Sequence, residues 1–193
     1  MWREAAYCLN MIPDCIKTSN LSLRPFSEED ADAVFAYWIS DSDWERFNAS
    51  VPASFTLSDA ENFVVEMCAR SRDMQPNWAI VHQNVVAGIV SLVFEEHQRI
   101  ATIGYGIHGD FRGRGFVAEA ARTIIDLAFG KHVELGKIRA HTDAQNIASI
   151  RVLEKLGFSK EGTLRKNQYV KNELRDEVIC GLLREDWVQR GAT

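Results

Sequence analysis

The sequence predicts an α+β fold on three observations. Residues 78–82, 85–94 and 100–107 read as an antiparallel meander. A helical stretch from Phe116 to about Lys131 joins that meander to a strand over 137–142, which makes one β-α-β unit. Two closing runs, 158–165 and 177–183, read as an antiparallel pair. The 193 residues suit a single domain, with 46% hydrophobic and 25% charged side chains.

The elements follow in order. Residues 1–17 show no clean period and read as a mobile N-terminal extension, with Met11 a candidate start. Leu21 and Leu23 alternate with Ser22 and Arg24 as a short strand, which Pro25 ends. Ser27 caps a helix whose first turn is acidic and whose apolar face is Ala33, Val34, Tyr37 and Trp38. Residues 41–57 are irregular and aromatic, with Trp44, Phe47 and Phe55. A loop of that length is often functional, and we expect it to wall a substrate cleft; aromatics that only cap the core are the alternative. Ser58 and Glu61 read as the capping box of the next helix. Gln83-Asn84 is a turn, and Gly88 marks a bulge or a close backbone approach. Asn146 to Leu156 is a helix closed by Gly157.

Composition excludes several classes. A net charge of −5 argues against broad nucleic-acid binding, which needs a basic face. No apolar run approaches a membrane span, and residues 1–10 lack the apolar core of a signal peptide. Cys8, Cys15, Cys68 and Cys180 form no metal-binding spacing and read as reduced thiols of a cytoplasmic protein, with no metal expected.

One stretch carries the function. Asp110-Phe111-Arg112-Gly113-Arg114-Gly115-Phe116-Val117-Ala118 sits between a strand and a helix. The first N–H groups of a helix have no intrahelical partner, and the helix dipole adds positive character there. Glycines let the backbone approach a phosphate, so the turn reads as a pyrophosphate site. A solvated loop has a similar composition; the flanking elements and a second motif downstream favour the phosphate reading. Gly104-x-Gly106-x-x-Gly109 matches a dinucleotide fingerprint, but another turn separates it from the helix, so a Rossmann site is not expected.

Arg112-Gly113-Arg114-Gly115-Phe116-Val117 resembles the Q/R-x-x-G-x-G/A motif of the GNAT superfamily of acyl-CoA N-acyltransferases, with Val117 departing from the usual Gly or Ala. Asn146-Ile147-Ala148-Ser149, ending in Glu154-Lys155-Leu156-Gly157-Phe158, resembles the family's second motif. Residues 21–25, 103–105 and 182–187 are most similar to the ribosomal-protein N-terminal acetyltransferases of RimJ and RimL type. The resemblance implies an α/β three-layer GNAT fold: a mixed, splayed sheet of about six to seven strands with helices on both faces. It implies acetyl-CoA as cofactor, an amine acceptor (a protein N-terminus or a small amine) and a monomer or homodimer.

It also implies site residues. Tyr105, Ile107, Arg112 to Ala118, Asn146 and Ser149 would hold the cofactor, with Asn146, Ser149 and Leu153 on one helix face. The family's acidic Tyr is replaced by Leu153, which nominates Ser149 to protonate the leaving thiolate; a serine that bonds only backbone is the competing reading. His108 and Asp110 are the candidate bases, against a solvent-facing loop histidine with no catalytic part. A non-catalytic acyl-CoA sensor is the rival function.

Overall fold

The computed structural model describes residues 12–38, 46–47, 55–95 and 97–191. Among these residues, eight strands form one sheet: β1 (Ile16–Lys17), β2 (Ser22–Arg24), β3 (Asn77–His82), β4 (Val85–Phe94), β5 (Ile100–Ile107), β6 (Lys137–Asp143), β7 (Ser159–Val170) and β8 (Glu173–Leu183). Their order is β1-β2-β3-β4-β5-β6-β8-β7. Every pairing is antiparallel except β5 with β6. The sheet thus exceeds the expected six to seven strands, because residues 16–17 of the expected N-terminal extension pair with β2 and Ile12 is buried.

Among the described residues, five complete α-helices lie against the sheet: α1 (Ala31–Trp38), α2 (Leu57–Ala69), α3 (Phe116–Lys131), α4 (Ile147–Leu156) and α5 (Arg184–Gly191). The alternation along β3 sorts them. Trp78 and Ile80 face a core with Ile124 and Phe129 of α3 and Leu153 of α4. Ala79 and Val81 face a second core with Val34 of α1 and Val64 of α2. Period two in the strands therefore dictates helices on both faces. Ile124 is fully buried, and side chains of that size each contribute about 1.5–3 kcal/mol of transfer free energy.

Ser27 caps as expected, with Asp30 closing the box; Arg24 grips the buried Asp30 carboxylate through two 2.7 Å bonds. The box of α2 is corrected by two residues. Thr56 is the N-cap and Asp59 the reciprocal acid, because Thr56 N–H donates to Asp59 at 2.7 Å and Asp59 N–H donates back to the Thr56 hydroxyl. The final hairpin is longer than expected. Lys171 and Asn172, both at positive φ, form a two-residue turn, and both strands extend through the polar stretch 166–176 up to it. At Gly88 both readings hold. The β3–β4 register shifts there, and a Cβ on Gly88 would meet the Gly106 carbonyl oxygen at 2.2 Å. Most of the aromatic loop 41–57 lies outside the described residues.

Candidate active site

The parallel pair β5–β6 is registered only over Ile100–Thr102 and Lys137–Arg139. Meanwhile β4 follows β5 to Ile107, and β8 follows β6 to Asp143. The sheet therefore forks beyond Thr102 and Arg139. At the fork lies a cavity of about 380 Å³. Tyr105, Gly106 and Ile107 of β5 form one wall, and Asn146, Ser149 and Val152 of the α4 segment form another. Arg112, Gly113, Gly115 and the first residues of α3, Phe116 to Ala118, close its end.

The start of α3 has the features that can hold an anion. Gly113 and Gly115 have φ of +73° and +81°, a left-handed backbone that other L-residues adopt at a cost. Gly115 is the N-cap, and no side chain caps the helix. The first backbone bond of the helix runs from Glu119 N–H to the Gly115 carbonyl at 2.9 Å. The amides of 116–118 precede it and face the cavity end without an intrahelical acceptor. The one acid of the first turn, Glu119, is tied away from this end by Thr18 Oγ1 at 2.5 Å and Asn20 Nδ2 at 2.8 Å. Burial alone would raise the Glu119 carboxyl, but these bonds bring it below its ordinary range. Arg112 and Lys155 add positive charge at the wall. Val117, the departure from the motif, is 9% exposed and lines the cavity.

Across the cavity, Asn146 caps α4 by accepting the Ser149 N–H at 3.1 Å. This bond holds the Ser149 backbone at the helix start, and the Ser149 hydroxyl lies 3.1 Å from the Tyr105 hydroxyl. The Ser149 carbonyl lies 3.3 Å from the same phenol, whose one proton therefore serves either this carbonyl or the Ser149 hydroxyl. Burial pushes the Tyr105 phenol up to about 12, so it stays protonated across the physiological range.

The structure brings together Tyr105, Ile107, Arg112, Gly113, Gly115, Phe116, Val117, Ala118, Asn146 and Ser149 on one cavity. Three expected residues are not on its wall. Arg114 stacks over the Phe111 ring at 5.6 Å. His108 is not the solvent-facing loop residue of the competing reading. It is 4% exposed and caps a short 3₁₀ turn, its Nδ1 accepting the Asp110 N–H at 3.2 Å. Asp110 lies in that turn. The expected face of α4 is corrected at Leu153, which is 1% exposed in the core, while Val152 takes the cavity position. Sequence reasoning missed the Tyr105 side chain, Lys155 and Val152; of these, only the period of Asn146, Ser149 and Val152 along α4 offered a signal. Phe47, inside the aromatic loop expected to wall a cleft, does line the cavity.

Among the described residues no cluster of His, Cys, Asp and Glu could hold a metal, and no helix is long and apolar enough to cross a membrane.

Comparison with known proteins agrees with this geometry. Residues 20–159 match the sequence profile of the acetyltransferase (GNAT) domain. The uncharacterized N-acetyltransferase p20 of Bacillus licheniformis is 31% identical over 180 residues, 90% of this chain and 98% of that protein. The spermidine N(1)-acetyltransferase of Escherichia coli (strain K12) is 31% identical over 108 residues, 55% of this chain and 58% of that protein. The crystal structure of a GNAT-family acetyltransferase from Bacillus anthracis superposes with a TM-score of 0.76 at 28% identity, over 89% of this chain and 99% of that one. RimL, a ribosomal L7/L12 alpha-N-protein acetyltransferase solved in complex with coenzyme A, shares the fold, with a TM-score of 0.78 at 19% identity over 90% of this chain and 97% of that one. A forked sheet, an uncapped helix start at its open end and a profile match over most of the chain converge on one conclusion: this protein belongs to the GNAT acetyltransferase family.

Proposed function

We propose that this chain transfers the acetyl group of acetyl-CoA to a primary amine by direct attack, with a protein α-amino group, such as that of a ribosomal protein, as acceptor. The observation that carries the reading is the uncapped start of α3 opening into the same cavity as the Tyr105–Ser149 hydroxyl pair. The donor supplies a thioester, which an amine attacks without a covalent enzyme intermediate.

The chain's residues divide the work. The amides of Phe116, Val117 and Ala118, with Arg112, bind the pyrophosphate. The backbone of Tyr105 to Ile107, beyond the last β6 partner, is available to the pantetheine amides and to the developing oxyanion. Ser149 donates its hydroxyl proton toward the departing sulfur while Tyr105 donates to Ser149. Tyr105 therefore supplies the hydroxyl that Leu153 cannot.

The acceptor preference rests on a second cavity of about 660 Å³ beside residues 144–145 and the β7–β8 hairpin. Its charged lining balances, with Lys166 and Arg175 against Glu173 and Asp176, so it offers a polycation no excess of acid. That favours a single amine on a larger molecule. The spermidine acetyltransferase relative keeps a small polyamine as the second reading. We place the reaction in the cytoplasm, in keeping with the free thiols Cys15, Cys68 and Cys180.

Thiol release with acetyl-CoA tests the reading, using spermidine and a lysine-free tetrapeptide with an open N-terminus as acceptors. Faster release with the tetrapeptide is expected. Faster release with spermidine would favour the polyamine, and coenzyme A binding without release from either would favour a sensor.

A further inference from the structure

Among the described residues, the cavity at the fork is lined by hydroxyls for the leaving group but by no histidine or carboxylate to take the acceptor's proton. An amine at neutral pH is mostly ammonium and must lose a proton before attack. A titratable pair on the opposite face of the sheet fits that need.

The faces follow from alternation. Ala101 and Ile103 of β5, Ile138 and Ala140 of β6, and Val178 and Cys180 of β8 all lie in the core under α3 and α4. Their neighbours Gly104, Arg139, His141 and Glu177 therefore point to the other face. Arg139 is the last β6 residue paired with β5. His141 is two residues further on, roughly 7 Å along the strand, at the first position of that face beyond the fork. On the β5 side the same face carries Gly104 and Gly106, which leave the fork open to an approaching group.

Glu177 stands behind His141. Its Oε1 lies 3.6 Å from His141 Nδ1, and the two side chains are 11% and 37% exposed. The carboxylate is held by neutral donors: Asn167 Nδ2 to Oε2 at 2.7 Å and Gln168 Nε2 to Oε1 at 2.7 Å. The nearby cations are engaged elsewhere, Arg175 with Asp143 and Glu173, and Arg139 with Glu95. Two amide donors thus orient the nearly buried carboxylate toward the imidazole beside it. The imidazole is partly exposed, and among the described residues no hydrogen bond to its other nitrogen is formed.

We propose that His141 is the base that takes the proton from the acceptor's ammonium group, and that Glu177 positions His141 for that step. The proposal rests on the amine acetyltransferase reading above. The ammonium gives one proton to His141, which passes it to solvent. The amine nitrogen bonds to the acetyl carbon and the carbon–sulfur bond breaks. The departing sulfur takes a proton from Ser149, and the second amine proton restores that hydroxyl. The products are the amide, the free thiol and one released proton. Among the described residues, the charged groups around this pair are Arg139 with its partner Glu95, Asp143 and Glu173 with their shared partner Arg175, and Arg46, whose carbonyl also accepts from Arg175.

The test measures thiol release against pH with acetyl-CoA and the acceptors spermidine and the tetrapeptide, together with calorimetry of coenzyme A. His141→Gln should lower kcat about 100-fold and remove the acid limb of the profile. Glu177→Gln should lower it about tenfold, Glu177→Asp should recover most of that, and the double variant should fall no further than His141→Gln. Coenzyme A affinity should stay unchanged throughout. If His141→Gln binds coenzyme A normally and keeps its rate within threefold with the acid limb intact, this proposal is overturned while the acetyltransferase reading stands. If the wild-type protein binds coenzyme A and releases thiol with neither amine, both fall.

Discussion

The two ends of α3 handle the same electrostatic problem in opposite ways. At the C-terminal end Arg184 closes the helix. Its guanidinium donates to the carbonyls of Phe129 at 2.8 Å, His132, and Leu135 at 2.7 Å, and it lies over the Phe129 ring at 5.1 Å. At the N-terminal end Gly115 supplies no side chain, Glu119 is drawn off by Thr18 and Asn20, and the first amides face a cavity. Helix ends otherwise buried without partners are costly. The closed end is thus part of the fold's stability, and the open end is the one we propose for the cofactor. The start of α2 makes the same contrast, since Thr56 and Asp59 cap it reciprocally with no ligand in view.

The contrast can be broken at either end. The largest effect is expected at Gly115→Asp. The carboxylate would sit at the proposed phosphate site and the residue would carry a φ of +81°, so coenzyme A affinity should fall about 100-fold in calorimetry, roughly 2.7 kcal/mol. Arg184→Ala should do the reverse. It removes charged donors from three carbonyls and should cost about 2 kcal/mol in denaturant melts, with coenzyme A affinity unchanged. Tyr105→Phe sharpens the comparison inside the cavity. It removes the bond to Ser149 but not the ring, so kcat should drop about tenfold, with the KM for acetyl-CoA unchanged.

The smallest effect is expected at Thr56→Ala, about 1 kcal/mol of stability. The variant should also change the pH dependence of stability. The bonds from Thr56 hold the Asp59 carboxyl below its ordinary range. A depressed carboxyl stabilises the fold above its unfolded value, and that stabilisation is lost as pH falls through the folded value. Thermal melts of the wild type should therefore weaken as pH drops through the carboxylate range, and Thr56→Ala should weaken less.

How much of this could be read in advance follows from how local each signal is. Gly113 and Gly115 were legible because a strand, a turn and a helix start lie within one short stretch. Asn146 and Ser149 were legible for the same reason. Tyr105 meeting Ser149 was not, because the pair is 44 residues apart and depends on which face of β5 lies under α4. His108 is polar and near a turn, which suggested exposure; its burial follows from the edge of the meander, where its N–H bonds the Ala87 carbonyl at 2.9 Å. The length of β7 was hidden because it is an edge strand exposed on both faces over most of its length, so it lacks the apolar alternation that marks a half-buried strand. The α2 cap was misplaced because Ser58 and Glu61 have the same residue types at the same spacing as Thr56 and Asp59, and only the backbone angles of Thr56, φ −110° and ψ 169°, distinguish them.

The most direct measurement is the backbone amide NMR spectrum during titration with acetyl-CoA and, separately, with pantetheine, which lacks the pyrophosphate. Acetyl-CoA should move the amides of Phe116, Val117 and Ala118 more than any others, and pantetheine should leave them in place. Acetyl-CoA binding that shifts other amides while these three stay fixed would contradict the account.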